Sequence, residues 1–250
     1  MKARLEQLAD ELSDAHCLPL DLAVVCRQLG VGLRVAPADG QRRGALMRRG
    51  RSWEVVLMRR DVQPAAISAH ERFTIAHELG HYVLLREAQF RPQRDAEYWL
   101  GERLCNHFAS RLLIPPRILA GVAEPATAVE LAGAVNEVAT RAGVTAEPAA
   151  RALVGCLATS VATGGFRIDA YASTQRLGFR GWWVENRDWW GGRGGRRLAV
   201  YTNHALAPVL ETMRRMKSGQ TAAPTVVGAE STFLRRRGGP HGSFAALLAR

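Results

Sequence analysis

Apolar positions change their period along this chain. Between Arg72 and Leu85 they recur at helical spacing (Phe73, Ala76, Gly80, Val83, Leu84) with no proline, which predicts an amphipathic helix. A second stripe, Leu104, Phe108 and Leu112, predicts a helix that stops at Pro115-Pro116. Upstream, residues 1–15 read as a polar amphipathic helix and Asp21 to Leu29 as another, ended at Gly30. Gly32 to Ala36, Ala45 to Met47 and Trp53 to Met58 read as strands, with Arg48-Arg49-Gly50-Arg51 as a hairpin turn.

Beyond Pro116 the composition becomes Ala-rich. Thr127-Ala128-Val129-Glu130 starts a helix that runs to about Arg141, and Gly143 ends it. Thr145 caps a second helix, with Glu147 and Pro148 in its first turn. The pair, around residues 138–153, has helix-turn-helix character, although its second helix offers mainly Glu147 and Arg151 for reading bases. Phe166 to Ala172, Gly181 to Glu185 and Leu198 to Thr202 are strand-like, and Ala205 to Met216 reads as a helix. Trp182-Trp183 and Trp189-Trp190 flank polar residues in this stretch. One Trp of each pair is expected in the core and the other nearer the surface, where it can stack on bases or a small ligand. Residues 217–243, rich in Gly, Ala, Pro, Ser, Thr and Arg, read as mobile. The sum is an α+β chain in four parts: 1–120 with a small sheet, a helical segment 121–159, a basic Trp-rich α/β unit 160–216, and a flexible basic tail 217–250.

The chemistry concentrates in His77-Glu78-Leu79-Gly80-His81. Positions i and i+4 of a helix share a face, so both imidazoles can bind one Zn²⁺. Glu78 stands where a carboxylate takes a proton from a metal-bound water without itself binding the metal. Gly80 is costly in a helix interior unless something must approach the backbone closely. A catalytic site needs a third protein ligand and an open position for water. By spacing, Glu102 is the best candidate, with His107, Glu97 and Asp95 as competitors.

The runs "RFTIAHELGHYVLL" and "GERLCNHFASRLLIP" resemble the ImmA/IrrE family of bacterial metallopeptidases, and the resemblance covers roughly residues 5–120. It implies a zincin-like fold in which His77, His81 and Glu102 bind the metal and Glu78 is the general base. It also implies cleavage of one protein, a helix-turn-helix repressor in a stress or mobile-element response. Cys105 stands where the family usually has Ala, and Arg111 where an acidic residue is common. The ligand set suits Zn²⁺, and also Mn²⁺ or Fe²⁺. Hydrolysis requires a transition-state donor. Tyr82, His107 and His204 are candidates by residue type, as are His70 and Tyr201.

Charge adds a second theme. Residues 1–159 hold 20 basic and 18 acidic residues and residues 160–250 hold 14 and 5, so +2 and +9 make up the net charge of +11. A local cluster gathers Arg42, Arg43, Arg48, Arg49, Arg51, Arg59 and Arg60. Basic surfaces attract nucleic acid or acidic protein, and a basic C-terminal third is a site for weak nucleic-acid binding. Arg outnumbers Lys 32 to 2, a bias that tempers this reading. The rivals to a peptidase are a DNA-binding regulator with a non-catalytic metal site and a zinc-stabilised protein-interaction module. No apolar run reaches about 18 residues and the N-terminus lacks a signal-peptide core, so no membrane span is expected. Four dispersed cysteines point to reduced thiols and a cytoplasmic protein.

Overall fold

Three consecutive apolar residues, Val55, Val56 and Leu57, lie buried in the middle of one strand, which marks that strand as the centre of the first sheet. The computed structural model describes residues 1–38, 40, 42–60, 66–171, 176–186, 197–201, 211–213, 215–217, 219–223, 230–236 and 243–249. They divide into two compact units, residues 1–120 with 140–145, and residues 121–139 with 146–250.

The first unit opens with α1 (Lys2–Asp14) and α2 (Leu22–Gln28). The Asp21 carboxylate caps α2 by accepting from the N–H groups of Ala23 and Val24. β1 (Val31–Pro37), β2 (Gly44–Arg49) and β3 (Ser52–Arg59) form a sheet in the order β1-β3-β2. β3 pairs parallel with β1 and antiparallel with β2, and Gly50, at φ 59°, makes the tight hairpin between β2 and β3. Among the described residues β2 pairs on one side only and so carries a free edge.

α3 (Ala69–Arg86) and α4 (Asp95–Leu113) follow, then the short α5 (Pro116–Leu119). The Ser68 hydroxyl caps the start of α3 by accepting the Glu71 N–H, and the Glu71 carboxylate accepts the Ser68 N–H in return. Glu71 also accepts from Arg59 of β3 at 2.6 and 3.1 Å, which ties the sheet to the helix. The Arg59 guanidinium holds the Glu71 carboxyl down at about 2. A carboxylate with a depressed folded pKa stabilises above its unfolded value and loses that contribution as pH falls through the folded one. Screened by solvent, this contribution is about 1 kcal/mol, and it is lost as pH falls between about 4.5 and 2. Glu71→Gln is therefore expected to flatten acid unfolding in that window, as followed by far-UV circular dichroism.

The outer face of α4 is zipped to α1 by charge. His107 pairs with Glu6 at 2.8 Å, Arg111 grips Asp10 with two bonds of 2.7 and 2.8 Å, and Arg117 of α5 meets Asp14. Arg111, unexpected by family resemblance, thus has its own acid on α1. These pairs sit at a partly exposed seam, so each contributes about 0–1 kcal/mol, and the apolar face beneath (Leu5, Ala9, Leu104, Phe108, Leu112) dominates.

α6 (Ala128–Ala142), which belongs to the second unit as far as Ala139, begins at a Thr127 hydroxyl that accepts the Glu130 N–H, and Gly143, at φ 64° and in the first unit, follows its end. α7 (Ala146–Val154) comes next. β4 (Val161–Tyr171), β5 (Arg176–Glu185), β6 (Arg197–Tyr201), β7 (Thr221–Ala222), β8 (Glu230–Arg236) and β9 (Ser243–Ala249) form an antiparallel sheet in the order β6-β5-β4-β9-β8-β7. α7 lies against β4 and β5. Asn186 accepts the Val161 N–H and donates to the carbonyls of Leu157 and Thr159, so the boundary expected at residue 159 falls inside this unit.

The tail expectation is corrected. Residues 217–250 contain β7, β8 and β9, and β9 pairs with β4 from Val161↔Leu247 to Gly165↔Ser243. Phe233, Ala245 and Ala246 are buried. A pairing that long-range supplies the order that local composition does not. Of the helix expected over 205–216, residues 211–213 and 215 are helical and 205–210 lie outside the described residues. Trp182 is half-buried, its indole lying over Gly165, where a Cβ would fall 2.5 Å from Nε1. Trp189 and Trp190 lie outside the described residues.

Candidate metal centre

α3 and α4 cross closely at Gly80. A Cβ there would stand 2.9 Å from the Cα of Cys105, closer than real contacts allow, and a tight 3.2 Å from its carbonyl oxygen. The crossing faces one turn of α3, with His77 and His81, toward one turn of α4, with Glu102 and Asn106. Cys105 is buried, and burial raises its thiol pKa, so it serves as a small apolar contact and not as a ligand.

His77, His81 and Glu102 converge. The two Nε2 atoms are 3.2 Å apart, His77 Nε2 is 3.4 Å from one Glu102 oxygen, and His81 Nε2 is 3.3 Å from the other. Donors held tetrahedrally about 2.0–2.1 Å from one ion stand roughly 3.3–3.4 Å apart. The three separations match that figure, so the donor set fits a single divalent ion. His77 Nδ1 is 3.0 Å from the Asn106 side-chain oxygen, which accepts its N–H and leaves Nε2 with a lone pair toward the centre. Asn106→Ala is expected to weaken metal binding about 10- to 100-fold with the helices intact, measured by competition with a chelating dye.

Glu78 occupies the next position on α3 and is half-buried. Burial raises its carboxyl pKa, while the backbone N–H of Leu46, on the free edge of β2, favours the charged form. Burial lowers the pKa of His81, which favours the neutral, ligating imidazole. Tyr98, one turn before Glu102, lies beside that carboxylate, whose charge pushes the phenol pKa up. Tyr98 and its neighbour Trp99 are exposed and stack edge to face.

Two candidate donors are corrected. The Tyr82 hydroxyl donates to the Leu29 carbonyl at 3.0 Å, with its ring against Trp53, and His107 faces Glu6 on the outer side of α4. Both polar groups are committed to packing. His204 and the side chain of Tyr201 lie outside the described residues, and His70 sits at the start of α3, about two turns before His77. Sequence reasoning missed Tyr98, whose spacing of four from Glu102 was a readable signal. It also missed the Leu46 N–H, for which a backbone group leaves none. Of the competing third ligands, Glu97 accepts from Gln93 and Arg94 instead.

Residues 63–154 match the Peptidase_M78 family model, described as the IrrE N-terminal-like domain. This segment is similar to the IrrE N-terminal-like domain. It holds the whole donor set with Glu78 and runs on through α6 and α7, whereas the β1-β3-β2 sheet precedes it. Among solved structures, a Mycobacterium tuberculosis transcriptional regulator is similar over 98% of this chain and 87% of its own, at a TM-score of 0.53 and 13% identity, a likeness of fold alone. No curated protein matches the chain. No described helix is long and apolar enough to cross a membrane.

Proposed function

We propose that the protein is a zinc-dependent endopeptidase of the cytoplasm that cleaves a helix-turn-helix repressor. The observation that carries the reading is Glu78 beside three convergent donors, because a site that only held the fold together would have no use for a base. His77, His81 and Glu102 would hold the ion, with Mn²⁺ or Fe²⁺ as the other metals this set suits. When bound, it supplies polarisation of a peptide carbonyl and a water acidic enough to ionise near neutrality. Glu78 takes the proton of the attacking water and passes it to the leaving amine. Asn106 fixes the His77 ring. The free edge of β2 holds the substrate as an added strand.

The repressor is supported by the family resemblance, and a role in transcriptional control also by the likeness of fold to the Mycobacterium tuberculosis transcriptional regulator. The test is incubation of the purified chain with a repressor encoded beside its gene. Cleavage at one bond, stopped by chelator and restored by Zn²⁺, is the expected result. An intact repressor under every metal condition would overturn the substrate assignment.

A further inference from the structure

Immediately before β2 the chain passes Arg42 and Arg43, and these line a cleft of about 790 Å³ with Arg59, Arg60, His70 and Glu71 among its walls. Its cations are unequal. Arg59 is spent on Glu71, with 10% and 20% of the two side chains exposed. The start of α3 is likewise closed from within by Ser68 and Glu71. Arg42, Arg43 and Arg60 are exposed, and no carboxylate among the described residues pairs with them. Three cations in one concave wall repel each other unless something anionic enters.

The cleft and the metal centre share α3. Gly44, the first residue of β2, packs against Thr74 and Glu78, where a Cβ would fall 2.5 and 3.5 Å from their side-chain carbons. His70, in the cleft, precedes His77 by seven residues, about 10 Å along a helix. That distance spans about three residues of extended chain.

We propose that this cleft is a specificity pocket for an acidic side chain of the cleaved protein, placed about three residues from the scissile bond. The inference rests on the peptidase reading and names the substrate feature it selects. Guanidinium groups bind carboxylates in forked, directional pairs, which suits a concave pocket at the end of a strand-binding edge. A nucleic-acid surface would instead present a stripe of cations with exposed aromatics, and among the described residues no aromatic ring other than His70 lines the cleft.

The test uses the full chain as Glu78→Gln, loaded with Zn²⁺, and mixed peptide libraries with Asp, Ala or Lys fixed at one position. Partition between bound and free peptide is read by sequencing. Asp is expected to be enriched at least tenfold over Ala at one or two neighbouring positions. Arg43→Glu with Arg60→Glu should turn that preference to Lys, and Arg43→Gln with Arg60→Gln should abolish it without inversion. Both variants should bind the all-neutral library as before and keep the parent circular dichroism spectrum. No preference for Asp, or one unchanged in folded variants, overturns the pocket. Loss of salt-dependent duplex DNA binding in the variants, with peptide preference unmoved, overturns it in favour of nucleic acid. Because binding is read without turnover, a preference in a chain whose wild type cleaves nothing would leave the pocket standing and the peptidase reading fallen.

Discussion

Glu78→Gln is expected to keep the metal, keep the fold and reduce peptide hydrolysis by about 10²- to 10⁴-fold. Glutamine has nearly the shape of the acid and retains an oxygen that can accept the Leu46 N–H. What it removes is proton transfer. The neighbouring donors, His77 and His81, are untouched, so substrate binding at the edge of β2 should survive. The comparison to make is kcat and KM with a cleaved repressor peptide, and the loss should fall on kcat. A variant that cleaves as fast as wild type would show that the proton goes elsewhere. One that loses its metal would show that Glu78 is a ligand.

Gly80→Ala reaches the same centre from behind. The added methyl would meet backbone atoms of Cys105 at 2.9 and 3.2 Å, and backbone cannot turn aside as a side chain can. α3 and α4 must then separate, at a cost of about 1–3 kcal/mol by comparison with other overpacked cores. Glu102 lies three residues before Cys105 on α4, so separation pulls it from the two imidazoles and metal affinity falls with stability. Truncating the neighbour, as Cys105→Gly, should rescue little, because the clash is with Cα and carbonyl oxygen. Thermal melting and metal titration of the single and double variants check this. Wild-type affinity in Gly80→Ala would contradict the crossing described.

The two imidazoles were legible because i and i+4 share a helix face whatever the rest of the chain does. Gly80 was legible as a cost awaiting a reason, and Cys105 supplies it. Glu102 was only one of several acids by spacing, since its distance from His81 depends on how two helices cross. His107 and Tyr82 misled for the converse reason. Residue type suggested donors, but rotation about α4 and the packing of Trp53 turned both away from the centre. The C-terminal strands were hidden by composition. Ser243–Ala249 has no β-branched residue, so its strand state comes from pairing with β4 more than seventy positions earlier in the chain.

The most direct measurement is the metal content of purified wild type beside Glu102→Ala and Glu78→Gln, by elemental analysis after removal of loosely bound ions. A single ion per chain in wild type and Glu78→Gln, and none in Glu102→Ala, is the predicted result. A wild type that carries no metal and cannot be loaded, or a Glu102→Ala variant that holds its ion undiminished, would contradict the account.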